Sequence, residues 1–383
     1  MRILDNTLAV CIKNLKIIRA RIVERNNRVF LEKECGEKLL IERDANFYKE
    51  FILPFKEKVK GKNLEEIWEE IRKRKFSTAL YITSRCNLRC KICYLNFAHS
   101  MKDMTIEEIK HFLKKNKSRF ISLTGGEPTV RKDLPKIIKL LTKMGRKVLI
   151  ITNGIKLANR NYVKKLKEAG LVGVYLSFDG FDDKIYKEFR GKNLLKLKLK
   201  ALENLEKEGI STILVPVIRK GFNEDQIKKI IEYADKHTFV EEVRFLTEYP
   251  NKNFFISDGY KILAKELKVN PEYFLKVKKL LWSFRFLPFK LKNMLGIEHC
   301  VIPLKRGDLK PLSFFDFLKE GINIFLWRIF GKKIKSILKL CFCSIYTPVE
   351  WDLMRNFIFS ESNEGFEKVE NKFPIQAMVG SEL

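Results

Sequence analysis

A chain of 383 residues, 45% of them hydrophobic, is long enough to bury a large core and is too apolar to be disordered throughout. No uninterrupted apolar run reaches membrane-spanning length, and the opening residues Met1-Arg2-Ile3-Leu4-Asp5 carry no secretory core, so the expectation is a cytoplasmic protein whose eight cysteines stay reduced or bind metal. The formal charge of +29 leaves two readings: attraction to nucleic acid, an anionic membrane surface or an acidic substrate, or a general lysine enrichment that coats every helix. No compact RNA-binding fingerprint accompanies the charge, which argues against nucleic acid.

In chain order, residues 1–75 read as a small separate module. A β-hairpin is predicted from 16–23 and 28–33 around Asn26-Asn27, with a linking helix over 63–75, and Cys11 and Cys35 flank the hairpin. Residues 76–250 alternate short β-branched runs, at 78–83, 120–124, 147–152, 172–178, 212–217 and 242–247, with helical periods at 105–115, 133–144, 159–169, 194–208 and 224–237. Strand and helix repeated in this way predict an α/β fold, a parallel sheet with right-handed crossovers and helices outside it. Residues 251–383 form a mixed, helix-rich extension whose tail, from about 360, is polar and expected to be loosely ordered.

The first predicted strand of the core ends in Cys86-Asn-Leu-Arg-Cys90-Lys-Ile-Cys93. Thiolates are the standard ligands of iron–sulfur centres, and a metal kept for chemistry retains an open position, so three thiols suit a cubane with one free iron. Structural zinc fits less well. The gaps are unequal, no fourth Cys or His lies at close range, and His99 sits six residues past Cys93. The next strand ends in Thr124-Gly125-Gly126-Glu127-Pro128, where two glycines let the backbone approach a ligand and Glu127 is suited to a cationic amino group. Two further strand ends carry Asn153-Gly154 and Ser177-Phe178-Asp179-Gly180. As isolated dipeptides these are ordinary turn formers, but ligands of α/β sheets collect along that edge.

Taken together, Cys86, Cys90 and Cys93 and the Gly-Gly-Glu-Pro segment resemble the radical S-adenosylmethionine (SAM) superfamily. The resemblance implies a six-stranded partial (β/α)6 barrel. It implies a [4Fe–4S] cluster on Cys86, Cys90 and Cys93, and SAM contacts from Thr124, Gly125, Gly126, Glu127, Pro128, Asn153, Ser177 and Asp179. Tyr94, directly after the last ligand, is placed to pack on the cluster or the adenine; Arg190 is either a partner of the SAM carboxylate or a solvated loop arginine. The implied reaction is reductive SAM cleavage to a 5′-deoxyadenosyl radical that activates a C–H bond, with a ferredoxin or flavodoxin as reductant.

A narrower resemblance, to the family holding the archaeal tetraether lipid synthases and the pterin methylase of methanogens, runs through 11–35, 192–205, 214–227 and, more weakly, 298–318. In those relatives a C-x-x-C pair precedes the hairpin. Here Leu8 stands at its first position, so Cys11 and Cys35 read as the remnant of an iron site. Cys300, Cys341 and Cys343 resemble what is left of an auxiliary-cluster region, and either bind one extra cluster with a borrowed ligand such as His299 or bind nothing. The aromatic and basic runs at 281–292 and 322–335 are expected to pack on their own domain, with peripheral contact to an anionic membrane as the other reading. The implied substrate is a lipid or hydrophobic metabolite, then a pterin-like cofactor precursor. A peptide or protein maturase and a non-catalytic iron–sulfur protein are the alternatives from other classes.

Overall fold

The computed structural model describes residues 1–10, 17–55, 77–93, 103–115, 118–248, 254–283, 301–311 and 337–343. The predicted linking helix at 63–75, the aromatic run at 322–335, all but the start of the run at 281–292, the tail, and Cys11, Tyr94, His99, His299 and Cys300 lie outside them.

The amino-terminal module is a four-stranded antiparallel sheet, β1 (Arg2–Val10), β2 (Ile17–Arg25), β3 (Arg28–Lys33) and β4 (Lys38–Glu42), paired in that order. The predicted hairpin is its centre: Asn26 and Asn27 take φ of 49° and 57°, the consecutive left-handed pair that a two-residue turn between twisted strands needs and that Asn tolerates. Its flanking strands leave little sequence signal, because Asp5-Asn6-Thr7 breaks the apolar alternation of β1 and β4 is only five residues long. One face buries Ala9, Ala20, Ile22, Val29 and Leu31 against Ala45 and Tyr48 of the following turn.

The second sheet carries the predicted core strands: β5 (Ser77–Thr83), β6 (Phe120–Gly125), β7 (Lys147–Thr152), β8 (Leu171–Ser177), β9 (Ser211–Val215) and β11 (Val240–Thr247) lie side by side and parallel. The run predicted at 212–217 splits at Pro216, leaving β10 (Val217–Ile218) paired to β11. The sheet does not stop at the six strands expected. β14 (Ile337–Cys343) adds in parallel to β11, β12 (Val301–Lys305) pairs antiparallel to β14, and β13 (Lys310–Pro311) follows, making ten strands among the described residues. The extension expected to be helix-rich thus also supplies sheet.

Helices α1 (Ile106–Lys115), α2 (Leu134–Lys143), α3 (Arg160–Glu168), α4 (Asp183–Arg190), α5 (Leu195–Lys207) and α6 (Gln226–Lys236) separate the core strands. Several start where a polar side chain or proline permits; Asn159, for example, accepts the Tyr162 N–H and caps α3. Their apolar stripes and the strands' inner faces bury one continuous cluster that includes Leu80, Ile82, Leu123, Ile138, Ile150, Leu176, Phe178, Ile230 and Phe245. Two later helices, α7 (Ile256–Leu267) and α8 (Pro271–Ser283), pack on it through Tyr260, Leu263 and Phe274. Among the described residues no helix is long and apolar enough to cross a membrane.

Candidate cofactor site at the carboxyl edge of the sheet

The parallel core strands end on one edge, and the cysteine loop, Gly125-Gly126-Glu127, Asn153, Ser177 and Asp179 follow or close those strand ends. Cys86, Cys90 and Cys93 follow the end of β5, each half-buried and none in a disulfide. The loop is pinned by its own backbone: the Cys93 N–H donates to the Cys90 carbonyl, and the Lys91 N–H donates to the Phe189 carbonyl of α4. Leu88 packs with Tyr186 and Leu194, and Ile92 with Ile185 and Phe189, so apolar side chains between the cysteines anchor the loop to α4 while the thiols stay near the surface. Burial, with Glu127, Cys90 and Cys93 adding negative charge nearby, pushes the Cys86 thiol up to about 11. A thiol so placed is a poor free nucleophile; a bound metal would deprotonate it. Among the described residues no three Cys, His, Asp or Glu side chains converge on one metal ion, which is the geometry of a single-ion site and not of a cluster whose irons take one thiolate each.

The two glycines explain how the second segment meets the first. Gly125 takes φ of +139°, and a Cβ there would lie 2.1 Å from the Thr83 carbonyl oxygen; at Gly126 one would lie 2.5 Å from the carbonyl oxygens of Ser84 and Arg85. The close approach lets the Gly126 and Glu127 N–H groups donate to the Thr83 and Arg85 carbonyls, welding this loop to the start of the cysteine loop. Glu127 is 1% exposed. Its Oε1 accepts from the Thr129 N–H and hydroxyl and the Thr152 hydroxyl, and its Oε2 from the Asn153 N–H at 2.6 Å. The carboxylate therefore holds the ends of β6 and β7 together, and Pro128 opens the short turn that Glu127 caps.

Asn153 closes the circuit: its side-chain amide donates to the Asn87 side-chain oxygen at 2.7 Å, inside the cysteine loop. At the end of β8, Asp179 is fully buried and accepts both prongs of Arg190 at 2.8 Å, plus the Val217 N–H. Burial opposes the Arg190 charge, but Asp179 and the neighbouring Cys90 hold the guanidinium protonated. Arg190 is thus not a solvated loop arginine; it ends α4 with a buried acidic partner and lies beside the second cysteine. Beneath this edge, Lys198 of α5 is completely buried and donates to the carbonyls of Asn153 and Ser177; burial, then Arg190, lowers its ammonium to about 8. Thr124 lies half-buried at the end of β6.

Sequence reasoning missed four members of this arrangement: Asn87, Thr129, Thr152 and Lys198. Only Lys198 left a signal. It falls on the stripe Leu194, Ala201, Leu202, Leu205 at helical spacing, a charge where the core demands an apolar residue, hidden by the Lys-Leu alternation around it.

Residues 80–234, from the cysteine strand through α6, match the Radical SAM superfamily. These residues form a radical SAM domain. Residues 3–37 also match the HMPTM N-terminal zinc ribbon domain. The 7,8-dihydro-6-hydroxymethylpterin dimethyltransferase of Methanocaldococcus jannaschii is 38% identical over 267 residues, 64% of this chain and 52% of that protein. A probable GTP 3′,8-cyclase of Pyrococcus abyssi is 33% identical over 181 residues, 45% of this chain and 58% of the relative. The chain thus spans about half the length of the dimethyltransferase. The crystal structure of Streptococcus suis SuiB bound to S-adenosylmethionine aligns with 69% of this chain and 70% of its own at 16% identity and a TM-score of 0.42.

The ribbon segment and zinc do not fit. Zinc takes four nitrogen or sulfur ligands, and residues 3–37 hold two cysteines and no histidine. Leu8 and the exposed Lys38 stand where C-x-x-C pairs with Cys11 and Cys35 would need thiols. What holds this module is its apolar face.

Proposed function

We propose that this chain is a radical SAM enzyme that cleaves SAM reductively and activates a C–H bond of a small cofactor-like or hydrophobic substrate. The observation that carries the reading is the circuit of contacts joining the cysteine loop, Gly125-Gly126-Glu127, Asn153 and Asp179 on one sheet edge. The residues fit a cluster: three thiols within eight positions, none in a disulfide, with a cationic Arg190 beside the second. Cys86, Cys90 and Cys93 would hold a [4Fe–4S] cluster, which when bound would supply the electron for cleavage of the sulfonium C–S bond. The glycine loop offers backbone groups to the methionine end of SAM, Asn153 and Ser177 offer polar groups to its ribose and carboxylate, and Asp179 fixes Arg190. The apolar packing of Leu88, Ile92, Tyr186 and Phe189 behind the loop keeps water from its inner side.

For the substrate, the dimethyltransferase relative supports a pterin-like cofactor precursor with methylation as the reaction. The basic and aromatic run at 281–292 supports a lipid. A ferredoxin or flavodoxin as reductant, cytoplasmic location and an auxiliary cluster on Cys300, Cys341 and Cys343 belong to the same proposal. The test is anaerobic reconstitution of the full chain and of a variant with Cys86, Cys90 and Cys93 changed to Ala, with iron, sulfide and 5′-deoxyadenosine measured under dithionite and SAM. The wild type forms 5′-deoxyadenosine and the variant forms none; wild type that binds iron but cleaves no SAM overturns the reading. Iron remaining on the variant assigns a second cluster to the carboxyl-terminal cysteines, and its absence removes that part of the proposal.

A further inference from the structure

We infer that Lys198 is a positioning residue for SAM, acting by holding the ends of β7 and β8 at a fixed separation. The inference rests on the SAM reading of this edge. Lys198 has no exposed surface, and its Nζ donates to the Asn153 carbonyl at 2.5 Å and the Ser177 carbonyl at 2.6 Å. These carbonyls sit where two neighbouring parallel strands finish: Ser177 is the last residue of β8, and Asn153 follows the last residue of β7. Past the end of a ladder a carbonyl needs a partner of another kind, and one ammonium serves both.

Packing alone does not account for a lysine here. The stripe it interrupts is otherwise apolar, and burying an ammonium is costly unless it is fully bonded, so a leucine would hold α5 to the sheet at lower cost. The ammonium instead lies 5.6 Å from the centre of the Tyr186 ring, whose hydroxyl donates to the Gly180 carbonyl just after Asp179. The groups exerting charge on it are Arg190, Asp179, Glu127 and Cys90. The same Asn153 that receives Lys198 from below gives its N–H to Glu127 and its side-chain amide to Asn87. Lys198 thus sets the height of a residue that is hydrogen-bonded both to the Gly-Gly-Glu-Pro segment and to the cysteine loop. Removing it frees two carbonyls and lets β7 and β8 part at the place where SAM is held.

The experiment uses the full reconstituted chain and compares wild type, Lys198→Met, Lys198→Arg and Leu202→Ala, the last a core truncation on the same helix. The Kd for radiolabelled SAM, the KM and kcat for SAM cleavage, iron content and Tm are measured on each. Lys198→Met is expected to keep wild-type iron and kcat within about threefold while its SAM Kd and KM rise by about tenfold. Lys198→Arg recovers part of the affinity, and Leu202→Ala loses Tm with its SAM Kd within about twofold of wild type. If Lys198→Met does not fold, Lys198→Gln decides on the same two axes: a weakened Kd at near-native Tm supports the inference. An unchanged SAM Kd in a folded Lys198 variant, or a loss in Leu202→Ala as large as in Lys198→Met, overturns it. Wild type that binds no SAM overturns the SAM reading instead, so the two failures are separable.

Discussion

The Glu42 carboxylate accepts the Ser257 hydroxyl at 2.6 Å and, through its other oxygen, the Ser257 N–H at 3.2 Å, joining the last strand of the amino-terminal sheet to the first turn of α7. Asp44 adds an ion pair to Lys261 one turn along the same helix. A carboxylate at a helix amino terminus is well placed electrostatically, yet Glu42 is fully buried, and burial raises its carboxyl above the ordinary 4.5 against hydrogen bonds from Ser257, Arg43 and Asp44.

A carboxyl whose folded pKa exceeds its unfolded one stabilises the fold in its neutral form. That contribution is complete below about 4.5 and is lost as pH rises through the folded value. Glu42→Gln imitates the neutral form at every pH, so its Tm relative to wild type is expected to improve between pH 4 and pH 7. A Tm difference that stays flat across that interval rules out the raised carboxyl.

Gly125→Ala places a methyl group where the Thr83 carbonyl oxygen already sits, at a backbone angle that side chains rarely adopt. The expected loss is roughly 3 kcal/mol, with iron uptake reduced because the two loops part. Denaturant unfolding and iron content after reconstitution check this. Stability within about 0.5 kcal/mol of wild type is the contrary result.

Arg190→Ala leaves the Asp179 carboxylate buried without its cation. Breaking one side of a buried pair costs about 3–5 kcal/mol, whereas Arg190→Lys keeps the charge and loses only the fork. In urea titrations Arg190→Ala is therefore expected well below Arg190→Lys, and equal midpoints count against an essential ion pair.

Thr152→Val removes the hydroxyl that donates to Glu127 at 2.6 Å and accepts the Gly154 N–H, with little change of shape. Hydrogen bonds to a charged group contribute about 1.5–3 kcal/mol, so a loss near 2 kcal/mol is expected by the same titration. A neutral outcome places that stabilisation in Thr129 and Asn153 instead.

The core strands and helices are legible in the sequence because their apolar spacing changes from period two to helical period at each boundary, as between 147–152 and 160–168. Other features are not. Edge strands such as β1 and β4 are short or broken by polar residues, and β12 and β14 pair with partners distant in the chain, which no local pattern announces. Helix α4 runs for only eight residues, too few for its period to stand out from the loop in which Arg190 is expected. In the site, motif spacing names the cysteines and Glu127, and strand-end position with the family resemblance names Asn153 and Asp179, whereas Asn87 and Thr152 are ordinary polar residues whose roles exist only once three strand ends meet.

Because β14 lies hydrogen-bonded along β11, the chain's last described strand shields what would otherwise be an open flank of the main sheet. A fragment trimmed near residue 250 would keep the cysteine loop and every strand from β5 to β11, yet present β11 as a bare row of amide donors and acceptors flanked by Val243, Phe245 and Leu246. Such an edge recruits another strand from solution. Minimal versions of this protein are thus expected to self-associate, and solubility depends on a segment nearly a hundred residues beyond the domain it protects.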